Sequence, residues 1–272
     1  MEFNEVLRGA REHIAAQQPL QVPDGWGQGR ATFGGMAAAL LYEAVEEELS
    51  RTVEGSIPLR SLTLSFVAPA EVGELNTSVT TLRAGRSAVQ IEARATQGNQ
   101  VVTAALASFG RPRESTIVVR PAAAPAFPAP QDCEALPYIE GIVPEFTRHF
   151  DYRIAAGGLP FSGNSEACLG GWIRFKSPTG PTAISHLLAL IDAWPPAVLP
   201  MLKQPAPASS MAWTVEILQS AQEQSEANGE DWWQYLAEVD QAGDGYAVTQ
   251  ARLWDAQGNL VALSRQTVSV FG

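Results

Sequence analysis

The sequence predicts an α+β protein made of two tandem copies of one module, each an antiparallel meander laid against a helix. Three observations predict it. The stretch Thr182 to Trp194 places Ile184, Leu187, Leu188, Leu190, Ile191 and Trp194 around most of a helical wheel, as in a helix enclosed on nearly all sides. Segments that alternate with period two follow it, as they follow an earlier helix starting at Gly34. Short motifs then recur in the same order in both halves. Leu41-Tyr-Glu-Ala44 answers to Leu190-Ile-Asp-Ala193, Ala84-Gly85 to Ala242-Gly243, Ala93-Arg94 to Ala251-Arg252, and Gln97-Gly-Asn99 to Gln257-Gly-Asn259. A shared order of motifs argues for duplication where any one of them would not.

The first module, residues 1–110, opens with an amphipathic helix from Phe3 to Ala16, which Pro19 and Pro23 end. Glycines 25, 27 and 29 do not have the spacing of a dinucleotide fingerprint, and no parallel βαβ pattern surrounds them. They precede a helix from Gly34-Gly35 to about Leu49, whose free N–H groups suit an anion or oxyanion. Four strands are expected next: Ser61–Phe66, Glu74–Arg83, Ala88–Thr96 and Gln100–Phe109. Residues 111–144, rich in proline and alanine, read as an extended linker.

In the second module, residues 145–272, strands are expected over Phe146–Ile154 and Ser165–Phe175, leading into the Thr182 helix. Ser185 or Thr182 is placed to cap that helix, and Pro195-Pro196 to stop it near Trp194. Ser210–Leu218 alternates, with Met211, Trp213, Val215 and Ile217 on one face. A polar, exposed loop over Gln219–Glu230 is followed by strands over Trp232–Asp240, Tyr246–Asp255 and Leu260–Phe271.

Composition narrows the function. The 272 residues are 46% hydrophobic and 17% charged, as in a globular protein of one large or two ordinary domains. A net charge of −11 argues against a nucleic-acid surface. No secretory signal and no run of about 18 apolar residues occurs, so a cytoplasmic protein with no membrane span is expected. Cys133 and Cys168 are too few for a disulfide framework. With His13, His149 and His186 far apart, no metal and no cofactor site is expected.

One acid stands out. Asp192 lies in the last turn of an apolar helix, where the helix dipole and lost hydration both disfavour its charge. Either it serves a function there or it turns to solvent as the helix frays.

The sequence resembles the acyl-CoA thioesterase II family and its thioesterase-like relatives. The resembling residues of the first module are Phe33-Gly-Gly35, Leu59-Arg-Ser-Leu62 leading to Phe66-Val-Ala-Pro69, Leu82-Arg-Ala-Gly-Arg-Ser87 and Gln97-Gly. Those of the second are the Asp192 helix, the strand Ala208 to Glu216, and Asp255-Ala-Gln-Gly258 through Gln266. The resemblance implies a double hotdog fold, two tandem modules each wrapping an antiparallel sheet around a long helix. It also implies a place in fatty acid metabolism and a catalytic trio of acid, hydroxyl and glutamine, matched here by Asp192, Ser210 and Gln266. The family commonly has Thr where Ser210 stands, and some members carry an Asp-His pair where this chain has Ala212-Trp213. Ser209 is the alternative hydroxyl if the register slips, since successive strand residues face opposite sides.

Such a site implies hydrolysis of an acyl-CoA or acyl-carrier thioester. Asp192 would act as base, its pKa raised by Leu188, Ile191 and Trp194; Ser210 and Gln266 would fix the water, and the Gly34 and Gly35 N–H groups would receive the oxyanion. Two other readings stay open: a non-catalytic acyl-binding hotdog protein, and an enoyl-CoA hydratase or dehydratase using His186. Glu43, the first helix's counterpart of Asp192, either makes a second site or, as the expectation here, is solvated beside the glutamates that follow it, and Arg83 and Arg86 either meet CoA phosphates or are exposed turn residues. Exposed outer strands suggest a homo-oligomer, most simply a homodimer.

Overall fold

A computed structural model describes residues 1–218 and 227–272. The first eight residues of the polar loop expected over 219–230 therefore lie outside the described residues. Helix α1 (Phe3–Ala15) turns Phe3, Val6, Leu7 and Ala10 to the core, the face its sequence spacing marks out. Strand β1 (Leu20–Val22) and the two-residue strands β2 (Gly27–Gln28) and β3 (Ala31–Thr32) lead into α2 (Gly34–Thr52). The first meander follows as β4 (Leu59–Phe66), β5 (Gly73–Ala84), β6 (Ala88–Gln97) and β7 (Gln100–Gly110).

Residues 111–144 are mostly extended, but they add the two-residue β8 (Glu134–Ala135) to a sheet edge. The strand expected from Phe146 starts four residues later as β9 (Phe150–Ala156), because Glu145–His149 forms a 3-10 turn. The second half continues with β10 (Cys168–Phe175), α3 (Ile184–Asp192), β11 (Ala208–Ile217), β12 (Trp233–Gly243), β13 (Tyr246–Trp254) and β14 (Leu260–Val270).

Apart from the β2–β3 hairpin, the strands form one antiparallel sheet in the order β1-β5-β6-β7-β4-β11-β14-β13-β12-β10-β9-β8. The run β4-β7-β6-β5 reappears as β11-β14-β13-β12, so the repeated motifs occupy equivalent places in one topology. The halves join where β4 pairs with β11, Ser65 opposite Ala212 and Ser61 opposite Glu216. Both outer edges end in very short strands, so β1 covers only Gly73–Leu75 of β5 and β8 only Arg153 and Ile154 of β9.

The two central helices pack against each other. Ser185, near the start of α3, donates from Oγ to Glu43 Oε1 at 2.7 Å. A Cβ placed on Gly35, at the start of α2, would lie 3.0 Å from Ala189 Cα near the end of α3. The helices therefore run in opposite directions, each with its start against the far part of the other. Every α3 residue from Ile184 to Ile191 is buried, as the all-round apolar wheel requires. Trp26, Trp213 and Trp233 are fully buried in the core around them, each contributing on the order of 2–3 kcal/mol of burial, whereas Trp254 is buried beneath the 111–144 segment, donating to Ala122 O.

Two expectations about the helices are corrected. Neither Ser185 nor Thr182 caps α3: its N-cap is Ala183, and the His186 Nδ1 accepts the Ala183 N–H at 3.0 Å. The histidine at the third helical position reaches back to the N-cap N–H, the part a Glu or Gln plays in a capping box. Glu43 is not solvated; it is 3% exposed. It accepts from Arg11 Nε at 2.6 Å and Nη2 at 3.1 Å in addition to Ser185. The arginine comes from α1, which folds across this end of α2.

Candidate active site

Three elements converge on the end of α3. Asp192 is its last residue, two before the expected stop at Trp194. Gln266 comes from β14, where it pairs with the fully buried Trp213 of β11 and so shares its inward face. Gln266 Nε2 donates to Asp192 Oδ1 at 2.7 Å. The start of α2 supplies the third side. A Cβ at Gly34 would lie 2.6 Å from Asp192 Oδ2 and 3.2 Å from Phe66 Cζ, so a close approach of backbone to carboxylate requires glycine there.

The acid is hemmed in by apolar groups. Leu188 and Ile191 are buried, and Trp194 stacks on Tyr235 with centroids 5.1 Å apart while meeting the edge of Tyr152 at 5.7 Å. Burial pushes the Asp192 carboxyl up to about 7. The Gln266 hydrogen bond and the Gly35 backbone N–H pull the other way, by favouring the anion. Tyr152 donates its hydroxyl to Ala193 O at 3.0 Å. Burial, and then the nearby Asp192 charge, hold the Tyr152 and Tyr235 phenols well above their ordinary range, so both stay protonated.

Asp192 keeps partial contact with solvent, through a cleft of about 510 Å³. Ala37, Phe66 and Thr103 line one side, Ser209, Ser210 and Met211 the other, and the β2–β3 hairpin overhangs the opening. Ser210 is half-buried and pairs with the buried Val268, whereas Ser209 is exposed and pairs with Ser269. Of the two hydroxyls, Ser210 therefore lies on the inner face. A bulge between Ser210 and Ala212 overturns the alternation expected there: Met211 does not join Trp213 on the inner face and is 45% exposed. Ser210 makes no hydrogen bond with Asp192 or Gln266. The structure thus joins Asp192 and Gln266 directly, sets Gly34 and Gly35 against them, and leaves Ser210 on the wall of the same cleft.

His186 lies elsewhere. Six residues before Asp192, about 9 Å along the helix, it bonds Asn4 Oδ1 through Nε2 at 2.6 Å. Burial lowers its pKa to about 4, so it is a neutral core group. Arg83 and Arg86 do not line the cleft; their turn is at the far end of the strands from Phe66 and Thr103. A larger cleft, about 980 Å³, separates Val119–Ala123 from the last hairpin. Its acid, Asp255, accepts the Gln257 and Asn259 N–H groups and so closes a turn. No group of three or more His, Cys, Asp or Glu side chains able to hold a metal ion occurs among the described residues. None of their helices is long and apolar enough to cross a membrane.

Sequence reasoning passed over the other cleft residues Arg30, Thr103 and Tyr246 and the aromatic wall of Tyr152 and Tyr235. A signal was present for one: Arg30 sits four residues before Gly34, so whatever surrounds Gly34 is near it. The remaining residues are brought together only by strand pairing.

One antiparallel sheet in which the strand run of the first half is repeated in the second, laid against two central helices, is the double hotdog architecture. The chain belongs to the acyl-CoA thioesterase family: residues 22–110 match its N-terminal domain and residues 130–270 its C-terminal domain. Among solved structures, it is similar to a conserved hotdog-fold protein of unknown function from Alicyclobacillus acidocaldarius. That likeness has 26% identity and a TM-score of 0.82 over 93% of this chain and 92% of the other. It is also similar to an acyl-CoA thioesterase II from Mycobacterium marinum, at 22% identity and a TM-score of 0.70 over 88% and 90% of the two chains. The dehydratase domain of RzxB from Pseudomonas fluorescens shares the fold at 16% identity and a TM-score of 0.55, over 87% and 84%. No curated protein matches the chain.

Proposed function

We propose that the protein hydrolyses an acyl-CoA or acyl-carrier thioester by activating water, with Asp192 as the base. The observation that carries this is the Asp192–Gln266 pair: a carboxylate raised to about 7, oriented by a neutral donor at 2.7 Å, opening on a cleft. An ordinary aspartate is a weak base, and one matched to neutral pH is worth about 10²–10⁴-fold in rate. Gln266 fixes the carboxylate without neutralising it. Ser210, on the wall, holds the water on its other side.

Water attacks the thioester carbonyl while Asp192 takes its proton. The oxyanion forms at the start of α2, where the Gly34 N–H meets it; the Gly35 N–H is already directed at Asp192. Collapse breaks the carbon–sulfur bond, and the thiolate takes the proton back from Asp192. The products are a carboxylic acid, which ionises in water, and a free thiol. His186, neutral and bonded to Asn4, has no place in these steps, which counts against the hydratase reading. We also infer that the duplication divides as 1–110 and 145–272 across the 111–144 segment, and that copies associate, most simply as a homodimer, which light scattering reads directly.

Thiol release from a panel of acyl-CoA chain lengths tests the activity. Asp192→Asn is expected to lower kcat at least about a hundredfold. Undiminished turnover in that variant rejects Asp192 as base, and no thiol release by the unaltered protein leaves only an acyl-binding role.

A further inference from the structure

The cleft beside Asp192 has a single cation on its wall, and nothing in the proposed hydrolysis uses it. Arg30 stands at the tip of the β2–β3 hairpin, exposed and lining the cleft, where Asp192 is the only other charged residue. Arg30 has no ion pair among the described residues, and of the arginines without one it alone lines this cleft.

The hairpin that carries Arg30 is fixed at both ends. Gly29 takes a left-handed φ of +65° to make the two-residue turn between Gln28 and Ala31. Thr32 N–H donates to Ala70 O at 2.6 Å, and Phe33 N–H to Trp26 O at 2.8 Å. On either side of the hairpin, Trp26 stacks on His149 at 3.9 Å and Phe33 on Phe146 at 4.1 Å. The chain then turns directly into Gly34, against Asp192. Arg30 is thus an unpaired guanidinium on a braced support at the mouth of the reaction cleft.

We propose that Arg30 is a specificity-determining residue that binds a phosphate of the substrate's phosphopantetheine or CoA portion while the thioester lies at Asp192. The proposal rests on the thioesterase reading and names the part of the substrate held outside the reacting centre. A chain of net charge −11 repels a phosphorylated substrate at long range, so a local cation at the opening is needed to orient it. A guanidinium presents a fork of donors that matches phosphate oxygens. The neighbouring Gln28, Ser209 and Ser269 offer uncharged polar groups along the same rim.

The test compares Arg30→Ala, Arg30→Glu and Arg30→Lys with the unaltered protein on an acyl-CoA, the matching S-acyl-4′-phosphopantetheine and the neutral S-acylpantetheine. It adds calorimetric titration with CoA. For Arg30→Ala, the ratio of kcat/KM on acyl-CoA to that on the neutral thioester is expected to fall about tenfold, mainly through KM. Arg30→Glu should fall further and Arg30→Lys less, and CoA affinity should drop in the same order. A loss shared by acyl-phosphopantetheine places Arg30 on the phosphate next to pantetheine; a loss confined to acyl-CoA places it on the nucleotide end. An equal loss on charged and neutral thioesters, or unaltered CoA affinity in Arg30→Glu, overturns the proposal. If the unaltered protein hydrolyses none of the three, the thioesterase reading fails, and the CoA titration still decides the role of Arg30.

Discussion

Replacing Asp192 by Asn should make the protein more stable at alkaline pH even as it removes activity. The folded protein holds this carboxyl near 7, against 3.8 for an ordinary aspartate. Below about pH 4 both folded and unfolded chains carry the proton, and the site costs nothing. As pH rises, the unfolded chain ionises first, so stability falls between about 4 and 7 and is constant above. Three pKa units correspond to about 4 kcal/mol as an upper bound, lessened by the carboxyl's remaining contact with solvent. Between about pH 5 and about pH 8.5, the difference to be measured is roughly 2–3 kcal/mol. Asn keeps an oxygen for Gln266 but turns an amide toward the Gly35 N–H, which adds an offset that does not depend on pH. Urea unfolding of both proteins at the two pH values separates the parts: the offset is common, and the gain of Asp192→Asn should grow by that amount at the higher pH. An equal gap at both pH values would mean that Asp192 ionises like a surface aspartate, and the argument for it as a base would fail with it.

The same carboxyl sets the pH profile. kcat/KM for an acyl-CoA should rise about tenfold per pH unit below 7 and level off above it, following the deprotonated fraction of Asp192. Gln266→Ala removes a donor that favours the anion, so the inflection should move up by about one unit or more; an unmoved inflection would show the 2.7 Å contact to be without effect. Adjacent glycines should fail differently. Gly34→Ala presses on the Asp192 carboxylate and the Phe66 ring, groups at side-chain ends, and should lower kcat with little change in stability. Gly35→Ala meets the Phe33 ring and the Ala189 backbone, which cannot yield, and should cost about 1–3 kcal/mol in urea unfolding. Arg11→Met leaves the Glu43 carboxylate buried with only Ser185, and should cost about 2 kcal/mol or more. Glu43→Gln, which lets the half-exposed Arg11 swing into water, should cost less.

The fold could be read in the sequence because its signals are local and repeated. Strand alternation, turn residues and the all-round apolar wheel of α3 each constrain a few neighbouring residues, and duplication states them twice. Asp192 was legible for a related reason, as an acid misplaced in an apolar helix. The illegible parts depend on contacts between distant residues. Periodicity puts Met211 on the inner face of β11, and only pairing with β14 exposes the bulge that leaves Ser210 there instead. Glu43, followed by three more glutamates, has the local appearance of a solvated face. Its burial depends on Arg11, 32 residues earlier, and Ser185, 142 residues later. Arg30 belongs to the cleft only because Trp26 and Phe33 are anchored by rings from the other half of the chain.

Duplication makes the contrast between the two acids informative. Each lies late in the matched motif of its helix and meets the first turn of the opposite one: Asp192 against Gly34 and Gly35, Glu43 against Ser185. A symmetric pair should have symmetric electrostatics. What breaks the symmetry is α1, which has no counterpart before α3 and which delivers a guanidinium to Glu43. Glu43 has its charge paired with a cation 2.6 Å away, and both of its oxygens are engaged by Arg11 and Ser185. A carboxylate held only by neutral donors keeps its desolvation penalty, and with it the drive to take a proton from water. A neutral glutamine from β14 at one acid and a cation from α1 at the other therefore place the proposed proton transfer in the second module.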